Sequence, residues 1–290
     1  MNKVKLFFWI IIFSSILAVS CSMLNSPLKI NDYALLHTNK GDFIIGLYEG
    51  TPLHKEKFLE NICSGVYDSC LVYSIIPNGL MKVGLQKNEI EEDVLNANFQ
   101  KKAIKPELNE KLINKTGAVG MLRLPNEQNS DCFSDTKLFY LVQGIKLDEK
   151  TLNTLEAKRN APIIADYLTI YLNKPENRIF KDSLDYYKIE GKNKDWSRLY
   201  ADLTEKIIPE IEKDGKKLYK INKYQTEIYQ SVGGAPVYDG QYTVFGEIVE
   251  GMEILQKFSE IKTGLMNKPK ENIYILSTKK LTKKEYKNLK

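Results

Sequence analysis

The chain has 290 residues, of which 43% are hydrophobic and 27% charged, and its net charge is +5. This ordinary globular composition excludes a disordered, collagen-like or low-complexity protein and leaves room for a sizeable core. The lysines are scattered among nearly as many acids, so we do not expect nucleic-acid binding. Two histidines and four cysteines without CxxC or HExxH spacing argue against a zinc site, and we expect neither a metal nor a cofactor.

Residues 1–20 have the pattern of an export signal. Two lysines precede an apolar run at residues 6–13, which is shorter than the roughly 20 apolar residues of a membrane span. The sequence Leu-Ala-Val-Ser-Cys at residues 17–21 resembles the lipobox of bacterial lipoproteins, in which the cysteine is acylated. We therefore predict a signal peptide at residues 1–20, a lipid anchor on Cys21 and a tether over residues 21–32. Plain cleavage and an uncleaved anchor are the alternatives.

Short β-prone runs follow the predicted tether and return near the C-terminus. The first two runs flank a Gly-containing turn at residues 39–42, and Pro52 then opens a helical stretch that ends at residues 64–65. The most β-prone run, residues 242–249, precedes an amphipathic helix at residues 252–261. The predicted strands are residues 34–38, 43–48, 71–76, 118–122, 138–142, 242–249 and 273–276.

The pattern between residues 145 and 232 is helical. The predicted helices are residues 147–159, residues 162–172 with Pro162 in the first turn, and residues 196–211. Aromatic side chains at helical spacing indicate the core of a small lobe, and we expect this lobe to set partner choice. Residues 283–290 are rich in lysine and are expected to form a solvated basic tail.

One motif near the C-terminus indicates a family. Residues 237–252, VYDGQYTVFGEIVEGM, closely match the segment written LDGxYTVFGxVVEGM in cyclophilin-type peptidyl-prolyl cis-trans isomerases. Shorter matches follow the family order at residues 38–43, 75–81, 116–118 and 139–142. The chain therefore resembles this family over residues 33–144 and 233–282. The insertion and the helix at residues 225–229 resemble lipoprotein cyclophilins of the Bacteroidetes lineage.

The resemblance implies a mainly β fold. We expect a closed eight-stranded antiparallel barrel capped by two helices, built from residues 33–144 and 233–282, with a long helical insertion at residues 145–232. It also implies isomerisation of prolyl bonds without a cofactor. In this family an apolar pocket holds the proline ring, and an arginine donates toward the prolyl nitrogen, whose lone pair appears only when amide resonance is lost.

The residues at the family's functional positions depart from its pattern. Ser74 stands at the position of the catalytic arginine, and Val83 and Leu138 replace two peptide-binding glutamines. Tyr140 stands at the position of the proline-pocket phenylalanine, and Tyr238 replaces a pocket leucine. The resemblance implies catalytic positions at Ser74 and Tyr140, and peptide-binding positions at Leu80, Met81, Val83, Leu122, Arg123, Leu138, Val237, Tyr238 and Tyr242.

Two functions remain open from the sequence. One is a lipid-anchored prolyl isomerase that assists the folding of exported proteins in the envelope of a Gram-negative bacterium, facing the periplasm. The other is an inactive cyclophilin-like lipoprotein that binds proline-containing segments or a partner protein of the envelope. We predict weak or absent activity, because removing one donor aimed at a transition state costs on the order of 10²–10³ in rate.

Three smaller points accompany this interpretation. Arg123 is the alternative donor, if it reaches the site in space. His54 is predicted to be a surface residue rather than a base. A disulfide between Cys63 and Cys70 is left open.

Overall fold

The computed structural model describes residues 26–289. Within them the chain forms two compact units, one that extends to Leu147 and resumes at Glu227, and another from Asp148 to Thr226. The predicted signal peptide at residues 1–20 and the predicted anchor Cys21 lie outside the described residues. None of the helices within residues 26–289 has the length and apolar character needed to cross a membrane.

The first unit is a closed barrel of eight antiparallel strands, as predicted. The strands are β1 Ile30–Thr38, β2 Gly41–Tyr48, β3 Leu71–Ile75, β4 Leu80–Leu85, β5 Ala118–Met121, β6 Phe139–Val142, β7 Val244–Glu250 and β8 Ile273–Thr282. Around the barrel their order is β1-β2-β7-β5-β6-β4-β3-β8, and pairing of β8 with β1 closes it.

The barrel has an apolar interior and a second apolar cluster on its outer face. Successive strand residues point to opposite faces. Phe139, at the start of β6, therefore belongs to the interior core, whereas its neighbours Leu138 and Tyr140 belong to the outer cluster. Two helices, α1 Pro52–Cys63 and α7 Met252–Ser259, contribute apolar side chains to the interior core, which confirms the two predicted capping helices.

Two elements of the barrel unit were not predicted. Strand β4 escapes sequence analysis because Lys82 and Gly84 interrupt its short apolar run. Helix α2, Glu91–Lys102, follows it, with three acids in its first turn, two lysines in its last, and Leu95 as its buried residue. A helix with so small an apolar face gives no amphipathic signal in the sequence.

The second unit contains three helices around its own apolar core. They are α3 Glu149–Leu172, α4 Arg178–Ile189 and α5 Asn193–Lys213, and α6 Lys223–Ser231 follows them. The predicted break before Pro162 was wrong, since α3 continues through it. Proline removes one helical hydrogen bond, but Tyr167 and Leu168 on the following turns are packed in the core of this unit.

The predicted tether at residues 21–32 is partly folded. Strand β1 begins at Ile30, inside the predicted tether. Ahead of it the carbonyl of Pro27 accepts a hydrogen bond from the backbone N–H of Gly50, at 3.2 Å. The described part of the tether is therefore held against the barrel.

The predicted basic tail at residues 283–290 was also wrong, because it contains helix α8, Lys283–Asn288. Thr282 and Glu285 cap each other's backbone N–H groups at the start of this helix. The ring of Tyr286 stacks on Tyr33 with 4.1 Å between centroids. One cap and one aromatic anchor hold the helix, and neither gives a periodic apolar pattern.

The described cysteines Cys63, Cys70 and Cys132 are free thiols, so the possible Cys63–Cys70 disulfide is not formed. Cys63 is exposed whereas Cys70 is buried. Burial raises the pKa of the Cys70 thiol to about 11, which leaves it protonated and unreactive at neutral pH.

Candidate functional site

Most predicted pocket residues lie together on the outer face of the barrel. We call this set the Tyr140 pocket; it consists of Leu80, Leu122, Leu138, Tyr140, Tyr238 and Tyr242. Met81 and Val83, which were predicted to bind peptide, instead point into the interior core, because they alternate with Leu80 along β4. Val237 is 45% exposed on a short turn before Tyr238.

The Tyr140 pocket is filled by its own side chains. Tyr140 is 0% exposed, and the ring of Tyr242 meets it edge-on at 5.7 Å between centroids. Gly120 leaves the space that the Tyr140 hydroxyl occupies, since an added methyl group there would collide with it. Leu95 of helix α2 is buried in the same cluster. Tyr140 therefore offers no exposed surface to a proline ring.

A buried polar network holds Tyr140 in place. Its hydroxyl donates to Asn114 Oδ1 at 2.7 Å, and burial raises the pKa of this phenol well above its usual value. The backbone N–H and the Nδ2 of Asn114 both donate to Asp239 Oδ1 at 2.9 Å. Tyr229 of α6 donates to Asp239 Oδ2 at 2.6 Å. The network connects the Tyr140 pocket to Asp239, in the motif at residues 237–252, and to helix α6.

Arg123 lies beside the pocket but is engaged elsewhere. It is 6% exposed, and its guanidinium stands 4.9 Å from the ring centroid of Tyr242. Nη1 donates to the carbonyls of Leu124 and Asn129 at 3.0 and 3.2 Å, and Nη2 donates to the side chain of Asn126. Both terminal nitrogens therefore brace the loop after β5, whereas Nε is buried without a hydrogen-bond partner among the described residues.

Ser74 is 7% exposed and lines an open cavity of about 1020 Å³. We call this cavity the Ser74 groove; its lining includes Tyr73, Ser74, Ile90, Leu95, Leu124, Leu265 and Met266. The rim carries exposed apolar side chains, with Leu265 at 89% and Met266 at 85% exposure. Lys82 and Glu91 form an ion pair at 2.7 Å within the lining. The groove therefore combines apolar side chains with six charged ones, Lys82, Lys87, Glu89, Glu91, Glu92 and Lys268.

The structure brings the two residues that were predicted to be catalytic into one row of the sheet. Ser74 on β3 and Tyr140 on β6 both lie opposite Lys82 on β4, so they share one face of the barrel at two strand spacings, about 10 Å. Ser74 lines the groove, whereas Tyr140 is fully buried. Leu95 and Leu124 belong to the apolar cluster that contains Tyr140 and also line the groove. Sequence analysis missed both leucines, which lie outside every family motif.

His54 was predicted to be a surface residue, and this was wrong. It is fully buried, and its Nδ1 pairs with Glu107 Oε2 at 2.7 Å. Glu107 also accepts the backbone N–H groups of Leu53 and His54, both at 3.1 Å, and so caps the start of α1. Burial alone would raise the pKa of Glu107. The hydrogen bonds from His54 and from the two backbone N–H groups lower this pKa by more, so the net shift is downward. The pair is structural.

The remaining titratable groups do not form a metal centre. Within residues 26–289 no three His, Cys, Asp or Glu side chains are arranged to hold an ion. Asp135 is buried, and desolvation raises its pKa despite hydrogen bonds from the backbone of Lys137 and Leu138 and from Asn98. It orders the turn that leads into β6.

Comparisons with known proteins agree with this architecture. The family model described as cyclophilin type peptidyl-prolyl cis-trans isomerase/CLD matches residues 33–140 and 218–280. Peptidyl-prolyl cis-trans isomerase CYP23 of Arabidopsis thaliana is 42% identical over 60 residues, and the match covers 20% of this chain and 26% of the plant protein. This chain thus spans about a quarter of the length of that relative.

Solved structures of a cyclophilin type peptidyl-prolyl cis-trans isomerase from Cryptosporidium parvum are also similar. One has a TM-score of 0.45 at 11% identity, and the match covers 88% of this chain and 99% of the Cryptosporidium parvum chain. Another, determined in the presence of the dipeptide Ala-Pro, has a TM-score of 0.43 at 12% identity and covers 85% and 96%. Because the family model matches more than half of its residues, the chain belongs to the cyclophilin-type peptidyl-prolyl cis-trans isomerase family.

Proposed function

We propose that this chain is a cyclophilin of the cell envelope that binds polypeptide segments and isomerises prolyl bonds far more slowly than family members with the catalytic arginine. The observation that carries the proposal is the closed Tyr140 pocket, in which Tyr140 is 0% exposed. A client's proline ring cannot enter this pocket unless Leu95 and the tyrosines move. The second support is Ser74 at the arginine position.

Rotation about a prolyl bond needs a donor that acts mainly in the transition state. A guanidinium supplies a charge-assisted hydrogen bond, which is roughly twice as strong as a neutral one. Ser74 offers only a short neutral hydroxyl, and its backbone pairs with Lys82 in the β3–β4 register. Arg123 binds its own loop. Both parts of the family mechanism, the pocket and the donor, are therefore weakened.

The Ser74 groove is the place that suits a bound segment. Its volume of about 1020 Å³ is at the upper end of the range for ligand pockets, roughly 300–1,000 Å³. Its apolar floor and rim suit an extended segment with proline or other apolar side chains. Contact with such a segment would remove Leu265 and Met266 from water, which favours binding.

The envelope location rests on the leader sequence. The lipobox resemblance at residues 17–21 supports acylation of Cys21, and two or more acyl chains give stable attachment to a membrane. Assistance to exported proteins follows from that location, and so does a periplasm-facing position. The Bacteroidetes lineage belongs to the same proposal.

The helical unit is proposed to select partners. It has its own apolar core, and in chain order it lies between strand β6 and the motif at residues 237–252. Several apolar side chains on it are exposed, among them Ile170, Ile179 and Ile189. Such side chains favour contact with another polypeptide.

A protease-coupled isomerisation assay tests the proposed function. We expect the rate with a proline peptide to be about 100-fold or more below that of an ordinary cyclophilin, given the value of one transition-state donor. Ser74→Arg should recover only part of the rate, since the Tyr140 pocket stays closed. Ser277→Arg, at an exposed position on β8, is the matched control and should recover nothing. Family-level activity of the unmodified chain would contradict the proposal.

A further inference from the structure

The first described residues of the chain enter the barrel at the end that carries α8. The first residues of β1 pair with the last residues of β8, so that Asp32 lies opposite Thr282. Ahead of β1, Lys29 accepts a backbone hydrogen bond from Glu49 at 2.9 Å. The incoming chain and helix α8 therefore share one end of the barrel.

This end presents a cluster of lysines. We call the cluster the basic end; it consists of the exposed residues Lys279, Lys280, Lys283, Lys284 and Lys287. Two acids lie among them. Glu285 caps its own helix, and Asp32 pairs with Lys280 at 3.7 Å and with Lys55 at 3.3 Å. Asp42, Glu250 and Glu253 line a cavity with Tyr286 on one flank of α8, so the positive charge is confined to the exposed face that carries the five lysines.

Helix α8 holds these lysines in fixed positions. Tyr286 is buried, stacks on Tyr33, and donates its hydroxyl to Glu250 at 2.8 Å. The Thr282–Glu285 capping box fixes the first turn. The lysines are thus presented by a helix docked on the barrel.

We propose that the basic end binds the anionic headgroups of a phospholipid bilayer. The inference rests on the lipid anchor of the proposed function. Ser26 is five positions along the chain from Cys21, and an extended chain spans at most about 3.6 Å per residue, so Ser26 lies within about 18 Å of an acylated Cys21. Each lysine within a Debye length of an anionic surface, about 8 Å, strengthens binding by roughly fivefold.

This contact also orients the Ser74 groove. The turn at residues 265–267 that forms its rim precedes the start of β8, where Ile275 lies opposite Thr38. Strand β1 has nine residues, so its two ends are about 30 Å apart. With the basic end on the bilayer, the rim of the groove lies at the far end of this strand and is open to the periplasm.

Lysine footprinting on the full chain tests the proposal. The chain is reconstituted into vesicles of phosphatidylcholine, alone or mixed with phosphatidylglycerol, and labelled with an amine-acylating reagent that is read by mass spectrometry. We expect Lys283, Lys284 and Lys287 to be labelled about fivefold more slowly in the anionic vesicles, with the protection lost at high salt. The exposed lysines of the second unit, Lys158, Lys188 and Lys217, should label equally in both.

Charge-matched variants complete the test. Replacing Lys283, Lys284 and Lys287 with glutamine should abolish the protection of Lys279, whereas replacing Lys158, Lys188 and Lys217 with glutamine should leave it intact. Equal labelling of the basic end in the two kinds of vesicle would overturn the proposal and would point to an acidic protein partner or a solvated surface. Isomerisation measured on the same samples reports separately on the proposed function.

Discussion

The Tyr140 pocket and the Ser74 groove lie two strands apart in the barrel, on β6 and β3, and they have opposite character. The pocket is closed by the protein's own side chains, with the Tyr140 hydroxyl bonded to Asn114 and Leu95 packed from α2. The groove is open, and its rim exposes Leu265 and Met266. The chain therefore buries Tyr140 and its neighbours and leaves apolar surface exposed at the rim of the groove.

The difference shows how a substrate pocket becomes part of a core. Burying an apolar side chain the size of Leu95 gains about 1.5–3 kcal/mol, and this gain is present in every folded molecule. A client's proline ring binds only when it displaces such side chains. The closed pocket thus adds to stability, whereas the groove keeps its exposed surface for binding. Three variants test this contrast.

The largest expected effect is on the polar network under the closed pocket. Asp239→Ala leaves the Asn114 donors and the Tyr229 hydroxyl buried without their acceptor. We expect the free energy of unfolding to fall by about 3 kcal/mol in a denaturant titration. Asp239→Asn keeps an acceptor oxygen for Asn114, so its free energy of unfolding should fall by clearly less. Equal losses for the two variants would show that the network does not hold the pocket closed.

The next effect concerns Leu95, which is buried in the same apolar cluster as Tyr140. Leu95→Ala should lower the free energy of unfolding by about 2 kcal/mol, because it creates a cavity in the outer cluster. In the Ser74→Arg background it should also raise the isomerisation rate, since the pocket becomes accessible. Ile90→Ala, at an exposed position on the groove rim, is the control and should change neither quantity. A rate that stays unchanged in the double variant would mean that Leu95 does not close the pocket.

The smallest effect is a pH dependence from the Glu107 cap of α1. Because the pKa of Glu107 is lowered in the folded state, its charge stabilises the fold above the unfolded pKa of about 4.3. This contribution disappears as the pH falls through the folded pKa. Glu107→Gln should therefore cost about 1 kcal/mol at pH 7, typical of a helix cap, and progressively less below pH 4.

The matched control is Glu271→Gln, which removes an exposed ion pair with Lys40. Exposed pairs contribute little, so its stability should follow that of the unmodified chain at every pH. A Glu107→Gln deficit that is independent of pH would mean that the carboxylate charge is not what stabilises α1.

The sequence alone was sufficient to predict the family, the barrel and the helical insertion. Specific local patterns carry this information: the motif at residues 237–252, alternating strands such as residues 43–48, and helical spacing at residues 196–211. Each pattern depends on residues that are close in the chain, so it can be read without coordinates. The prediction that Ser74 replaces the arginine rests on the same kind of local pattern.

The state of the site was decided only by tertiary structure. Nothing near residues 91–102 predicts that Leu95 joins the apolar cluster of Tyr140, since the two lie on segments about 45 residues apart. The partners of Asp239 and Glu107 are equally remote in sequence. Burial and hydrogen bonding between distant segments depend on which faces the fold brings together. A local pattern does not contain that information, and so the closed pocket, the buried His54 and helix α8 emerge only in three dimensions.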